Sequence, residues 1–369
     1  MRKHILIVSG IYPPDAGGPA KFALDFSKFL LGENCDVTVI SYSDSAKLIN
    51  EMNPNFTLVL VPRNKNIVFR ICMMILQICK YYKKESKVLA IGAFIETLFA
   101  SLLKRFNYIA KIPGDIVWER ARNSGHTTLE IVNFQKEKLN LSYSMLRVLF
   151  NTSLNRAEFI ICPSKFLKTL CLQWRIPESK IRVIYNSVSI EEKIDILKPK
   201  YDVITVCRLV PWKGVAEIIE VCHKLKMTLL VIGDGPEMNN LRSLARAKDV
   251  TANFTGNISF ESVKSHYPLA KYFILNSTYE GLPHALLEAK TSGLICVARG
   301  GHGSEEVLTD KWDGFIVDGS KECSLELLLK DLQSGFYNLD AIRENALNDA
   351  RNRFDQRNNF PKILELLCM

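Results

Sequence analysis

Residues 4–20 read HILIVSGIYPPDAGGPA, and residues 202–210 read DVITVCRLV. The first is a short apolar run closed by Ser-Gly and followed by a Gly/Pro loop. It is too short for a helix and is bounded by turn residues, so it predicts a buried strand. A helix follows near 19–31. Working outward, VTVIS (37–41), LVLVP (58–62), VLAIG (88–92), YIAKI (108–112), FIICPS (159–164) and IRVIYN (181–186) repeat the pattern, with helical stretches between several of them. A polar segment, SVSIEEKIDILKPK (187–200), interrupts it, and DVITVCRLV starts it again. TLLVIGDG (228–235), ANFTGN (252–257), YFILNS (272–277), LICVAR (294–299) and GFIVDG (314–319) then follow. Strand–helix alternation of this kind predicts parallel sheets with crossover helices. The expectation is an α/β chain of two tandem Rossmann-like domains, 1–190 and 191–369, with parallel sheets facing across a cleft. Ligands are expected at the carboxyl ends of the strands. The last stretch, FDQRNNFPKILELLCM, is a candidate to pack back on the first domain.

The chain has 369 residues, enough for about two domains at roughly 150 each, with 47% hydrophobic and 24% charged residues. Ten cysteines lie scattered without a C-x-x-C or a Cys/His ligand spacing, which fits a reducing compartment and argues against a zinc site. MRKHILIVSG reads as a first strand rather than a leader, and Arg70 and Glu96 break the two longest apolar stretches. The expected location is cytoplasmic. The net charge of +9 is uneven. Residues 1–190 carry 26 Lys/Arg against 14 Asp/Glu, and residues 191–369 carry 22 against 25. The first half therefore either meets an anionic partner or has a merely basic surface. No aromatic-plus-basic module of a nucleic-acid binder is present, so no nucleic-acid partner is expected.

Three loops of the second half carry polar residues just past predicted strands. RLVPWKG (208–214) supplies Arg208 and Lys213, two cations suited to a diphosphate. GDGPEM (233–238) makes a tight turn at Gly233 and Gly235 but lacks the third glycine of a dinucleotide fingerprint. YEGLPHALLEAKTSG (279–293) places Pro283 at a helix start, where unpaired amides from Leu282 to Leu286 favour an anion. Glu280 precedes that helix and Glu288 lies on it. A carboxylate accepts two hydrogen bonds, which suits the adjacent hydroxyls of a ribose. Taken singly, the same residues are surface cations, a structural turn and a dipole partner. The combination on one sheet edge points to a phosphorylated, hydroxyl-rich ligand.

The E-x₇-E spacing of EGLPHALLE resembles the signature of retaining glycosyltransferases of family 4, which have the GT-B fold. The Arg-x₄-Lys of RLVPWK, the GDGP turn and GLICVARGGHGSEEVL follow in that family's order, and IYPPDAGGPAKF resembles its N-terminal glycine loop. The resemblance implies that Arg208 and Lys213 bind the donor pyrophosphate and that Glu280 contacts the sugar. It implies that Glu288 binds the ribose and that amides of Gly281, Leu282, Pro283, His284, Ala285 and Leu286 surround the distal phosphate (Pro283 itself has no N–H). Gly17 and Gly18 would let the backbone approach the diphosphate, Gly233 would shape the turn beside it, and Gly256 and Asn257 would lie near the base. The family uses a nucleotide sugar as co-substrate, and neither a cofactor nor a metal is expected.

The sequence departs from the family pattern at one point. Many members carry a histidine in a first-domain loop, where this chain reads AKIPGDIVWER (110–120). Asp115 there either orients the acceptor or sugar, or caps the following helix, and His126 is a nearby alternative. IVFRICMMILQICKYYKK (67–84) and FIETLFASLLKRF (94–106) read either as interfacial helices at an anionic membrane or as core helices whose Arg70 and Lys80 mark the wet side. The implied reaction moves a hexose-type sugar to a glycan or lipid-linked acceptor in cell-surface polysaccharide synthesis. A sugar-nucleotide epimerase and a non-catalytic nucleotide-sugar-binding subunit are the rival readings.

Overall fold

The computed structural model describes residues 2–15, 17–44, 49–53, 55–190, 198–319 and 324–369. The chain divides into two units, one of Met1–Tyr185 with Asn359–Met369, the other of Asn186–Asn358. Residues 191–197, within the polar segment expected to separate the domains, lie outside the described residues.

The first unit is built on strands β1 (His4–Ser9), β2 (Asp36–Ser43), β3 (Ile49–Asn53), β4 (Phe56–Pro62), β5 (Lys87–Ile91), β6 (Ile109–Lys111), β7 (Phe159–Cys162) and β8 (Ile181–Val183). Their order across the sheet is β3-β4-β2-β1-β5-β6-β7-β8. Every ladder is parallel except β3 on β4. β1 is buried along its whole length and β2 along all but its first residue, as expected of strands covered on both faces. β3, INEMN, has no apolar run and was not legible in the sequence. It exists because the edge of β4 offers it a ladder.

The crossovers are helices α1 (Gly18–Gly32), α2 (Ile67–Tyr81), α3 (Phe94–Lys104), α4 (Ile116–Asn123), α5 (Ile131–Phe134), α6 (Leu141–Arg156) and α7 (Lys165–Gln173). The spacing predicts a helix over 66–84. Asn66 caps it instead, accepting from Val68 N–H at 2.8 Å, and Tyr82 ends it in an extended conformation ahead of a run of polar residues.

In the second unit, strands β9 (Tyr201–Val206), β10 (Leu229–Ile232), β11 (Ala252–Gly256), β12 (Ala270–Leu275), β13 (Ile295–Arg299) and β14 (Phe315–Val317) form a sheet ordered β11-β10-β9-β12-β13-β14. All its ladders are parallel. Counted within the unit this is the order 3-2-1-4-5-6, so the winding direction reverses between β9 and β12. An open sheet leaves its ligand crevice outside the carboxyl ends of such a pair. Helices α8 (Val215–Leu225), α9 (Met238–Ala247), α10 (Phe260–His266), α11 (His284–Thr291), α12 (Ser324–Gln333) and α13 (Leu339–Arg353) cover it. The last helix, α14 (Gln356–Cys368), sends Phe360, Ile363, Leu366 and Leu367 into the core of the first unit, against Phe22, Phe26 and Leu30 of α1.

Candidate functional site

The residues singled out in the second unit lie beyond the carboxyl ends of its strands. β9 ends at Val206, and the chain passes through the exposed Arg208 into a single 3₁₀ turn, Pro211–Lys213, closed by Gly214 at φ 64°. Only glycine fits there, since a Cβ would fall 2.4 Å from the carbonyl oxygen of Asn276. Asn276 stands just past the end of β12. Its buried amide donates to the Gly214 carbonyl at 3.2 Å and to Glu217 at 2.7 Å. Thr278 N–H donates to the Trp212 carbonyl at 2.9 Å. The loops after β9 and β12 are thus fastened to each other at the point where the sheet reverses.

That fastening brings Lys213 to Glu280. The ammonium donates to Oε1 at 2.5 Å, with both side chains largely covered. Such a pair neutralises itself until a stronger anion or a hydroxyl-rich ligand competes for it. The neighbouring Cys207 thiol is pushed up to about 11 by burial and stays neutral. The loop after β13 closes over the same place. Gly303 N–H donates to the Glu280 carbonyl at 3.0 Å, and a Cβ on Gly303 would meet the Gly281 oxygen at 2.2 Å. His302 takes a left-handed φ of 65°, with its ring 5.9 Å from that of Tyr279.

Pro283 is not the first helical residue. At φ −76° and ψ 115° it is the extended residue that caps α11, and His284 begins the helix. The helical ladder starts with Leu287 N–H on the Pro283 carbonyl at 3.3 Å, so the amides of the first turn lie ahead of it. The entry is held from behind by Asn186, which donates to the Leu282 carbonyl at 2.9 Å. One turn on, Glu288 accepts from the hydroxyl of Tyr267 at 3.0 Å. Tyr267 is fully buried, and burial, with the Glu288 carboxylate beside it, holds its phenol well above the ordinary range. Lys290, fully buried on the same helix, donates to Asp313 at 2.7 Å, to Asp349 at 2.6 Å and to the Val307 carbonyl at 2.8 Å. It anchors α11 to the body of the unit.

Gly233 and Gly235 act as a structural turn. A Cβ on Gly233 would lie 2.0 Å from the Cys207 oxygen, and one on Gly235 2.3 Å from the Leu209 oxygen, so the turn sits directly on the loop that carries Arg208. Gly256, at φ 73°, accepts at its carbonyl oxygen from Gly233 N–H at 3.0 Å, and the exposed Asn257 follows it. In the first unit Gly17, at φ 144°, caps α1 and Gly18 opens it.

Asp115 is the cap of α4. One carboxylate oxygen accepts from Val117 and Trp118 amides at 2.9 and 3.2 Å, and the other accepts from Gln135 at 2.9 Å and Arg147 at 2.6 Å. It is wholly buried and both oxygens are engaged. The assignment as an acceptor-orienting group therefore gives way to the capping one. His126 is exposed, 4.8 Å from the Tyr143 ring.

Sequence reasoning passed over Asn276 and Tyr267, and took the His302 loop only as part of a family motif, without a role for His302. The polar NST after a strand and the glycine pair before His302 were the available signals. Nothing in the sequence tied Tyr267 to Glu288. Among the described residues no cluster of three His, Cys, Asp or Glu side chains is arranged to hold a metal ion, and the described cysteines are free.

A family model described as glycosyl transferases group 1 matches residues 188–348, and one described as glycosyltransferase family 4 matches residues 124–192. An uncharacterized glycosyltransferase of Methanocaldococcus jannaschii is 26% identical over the whole of both chains. The alpha-monoglucosyldiacylglycerol synthase of Streptococcus pneumoniae is 23% identical over 65% of this chain and 62% of its own. Among solved structures, sucrose-phosphate synthase from Thermosynechococcus elongatus aligns with a TM-score of 0.81 at 14% identity, covering 99% of this chain and 98% of that one. Anabaena HepE in complex with UDP-glucose aligns with a TM-score of 0.76 at 18% identity, covering 99% of each. The motif order, two parallel-sheet Rossmann-like units and these matches agree: residues 124–348 match glycosyltransferase models of group 1 and of family 4, and the fold is GT-B.

Proposed function

We propose that the protein transfers a hexose-type sugar from a nucleoside-diphosphate sugar to a glycan or lipid-linked acceptor, with retention of anomeric configuration and without a bound metal, in cell-surface polysaccharide synthesis. The observation that carries this reading is the joining of the β9 and β12 loops through Asn276, Gly214, Thr278 and Trp212, which sets Lys213, Glu280 and the start of α11 on one sheet edge. Arg208 and Lys213 receive the diphosphate, and the first-turn amides of α11 take its distal phosphate. Glu288 accepts from the ribose hydroxyls and Glu280 from the sugar. Gly256 and Asn257 serve the base.

The leaving group gains charge as the glycosidic bond breaks. Fixed cations and amides aimed at that charge are the chief catalytic resource in such a site, and they need no reorganisation during the reaction. Retention is consistent with front-side attack, in which the departing phosphate accepts the acceptor's proton. No protein nucleophile is assigned. A lipid-linked acceptor would put this chemistry at the cytoplasmic face of a bilayer.

The test is a panel of UDP-, GDP- and ADP-sugars scored by thermal shift and by slow donor hydrolysis. One nucleotide class is expected to raise the melting temperature of the native chain. Glu288→Ala and Lys213→Ala are expected to lose most of that shift. Equal stabilisation of native chain and variants would refute the assigned site. Turnover of UDP-GlcNAc to its epimer without acceptor would favour the epimerase reading.

A further inference from the structure

The Lys213–Glu280 pair differs from other ion pairs of the second unit in where it stands. In Lys271–Asp202 and Lys330–Glu326 the lysine is 52% exposed, and such solvated pairs carry little weight. Lys290 is fully buried with Asp313 and Asp349 and serves the body of the unit. Lys213 and Glu280 are 17% and 13% exposed, on the loops that follow β9 and β12.

Both backbones are pinned. Lys213 N–H donates to the Val210 carbonyl at 3.0 Å inside the 3₁₀ turn, and Asn276 holds the Gly214 end of that turn. Glu280 follows Thr278, which is fastened to Trp212, and its own carbonyl accepts from Gly303 N–H at 3.0 Å. The fold therefore sets the pair before any ligand arrives. Cys207 reports both charges. Burial pushes its thiol up to about 11, while Lys213 draws it down and Glu280 pushes it up. A group entering here meets the cation and the anion together.

We propose that Glu280 competes from within the site for Lys213, and so weakens binding of a nucleoside diphosphate without a sugar relative to one that carries a sugar. The inference rests on the donor role proposed for this sheet edge and extends it to how donor is told from product. A free nucleoside diphosphate draws the Lys213 ammonium to its phosphates. The Glu280 carboxylate is then left beside them, without that donor and largely covered. A carboxylate so placed costs free energy, both as an unmatched acceptor and as a like charge. A sugar on the distal phosphate brings hydroxyls that donate to Glu280 in place of the ammonium. One carboxylate thus opposes the product and is satisfied by the donor, and discrimination needs such a repulsive element as well as an attractive one. Once the sugar has left, Glu280 loses its hydroxyl partners, reclaims Lys213 and helps to expel the diphosphate.

The test is titration calorimetry of the full chain with UDP, GDP and ADP and with UDP-glucose, GDP-mannose and ADP-glucose. Native protein is compared with Glu280→Gln, which keeps the side chain's shape and one acceptor oxygen and removes the charge. In the nucleotide class that binds, Glu280→Gln is expected to hold the free nucleoside diphosphate about ten-fold more tightly, the scale of one hydrogen bond to a charged group. It should hold the nucleotide sugar no more tightly than the native chain does. Inhibition of donor hydrolysis by added nucleoside diphosphate should deepen in step. In a Lys213→Met background most of the gain from Glu280→Gln should vanish, as a double-mutant cycle reads directly. The substitution is isosteric and leaves the backbone bond to Gly303 in place, so the melting temperature without ligand should stay near the native value. Nucleotide binding with an unchanged preference in Glu280→Gln would overturn the inference alone. A gain that persists in full without Lys213 would also overturn it, since Glu280 would then act by bulk repulsion. Failure of every nucleotide to bind either chain would refute the donor reading itself, and the inference with it.

Discussion

Glu288 and Asp115 show how differently two carboxylates with similar sequence credentials can be placed. Both stand close to a predicted helix start beside a glycine or proline. Asp115 is consumed by its surroundings: two amides, an amide side chain and a guanidinium occupy its two oxygens. Glu288 is only partly covered and accepts from the buried phenol of Tyr267. The spacing of EGLPHALLE made Glu288 legible, but the count of donors around Asp115 depends on Gln135 and Arg147, distant in sequence and invisible there. The Tyr267 hydroxyl fixes which way the Glu288 carboxylate faces. Tyr267→Phe should therefore weaken binding of a ribonucleoside diphosphate about ten-fold, as for a lost hydrogen bond to a charged group. Binding of the 2′-deoxy nucleotide should change much less. Titration calorimetry with both nucleotides checks this, and an equal loss for the two would make Tyr267 a packing residue only.

At the scale of elements, α11 depends on a polar core. Lys290 joins α11 to Asp313 and Asp349, and Arg353 of α13 chelates Asp349 through Nε and an Nη at 2.6 Å each. Removing one partner of a buried charge network leaves the others unpaired, at about 3–5 kcal/mol. Lys290→Met should cost that much in denaturant unfolding and loosen donor binding with it. The two acids differ for a physical reason. Burial pushes Asp313 up, and the single lysine only partly offsets it. Burial also pushes Asp349 up, but hydrogen bonds from Arg353 and Lys290 outweigh it and hold the carboxyl below the ordinary range. A lowered acid contributes stability above its unfolded pKa of about 4 and loses it as pH falls through the folded value. Unfolding free energy should thus decline in acid, and Asp349→Asn should flatten that limb. An unchanged slope in the variant would assign the acid sensitivity elsewhere. None of this was legible beforehand, because a lysine in a helix reads as solvated until the strands around it are placed. Strand and helix order was legible, because parallel strands are continuous apolar runs. The edge strand β3 was not, because its ladder comes from its neighbour.

At the scale of the molecule, the restart of the strand pattern at DVITVCRLV announced a second unit, and the order of motifs announced the family. The first unit is discontinuous, completed by Asn359–Met369, which lies in the stretch that the sequence offers as a candidate to pack back on it. The ring of Phe360 lies 5.3 Å from that of Phe26 and 5.8 Å from that of Phe22, both edge-on. Deleting Asn359–Met369 should uncover these rings, lower the melting temperature of the first unit and leave the second unit's transition in place. Differential scanning calorimetry resolves the two, and an unaltered first transition would deny the segment its place in the core.

The interrupted order also constrains biosynthesis. Domains made on a ribosome usually fold in the order they emerge, at about 5–20 residues per second. Here the amino-terminal sheet must wait for an entire intervening domain, roughly ten to thirty seconds at that pace, before its missing helix arrives. During that interval an aromatic seam on α1 stays uncovered, and the nascent chain offers chaperones a binding site that the finished protein lacks.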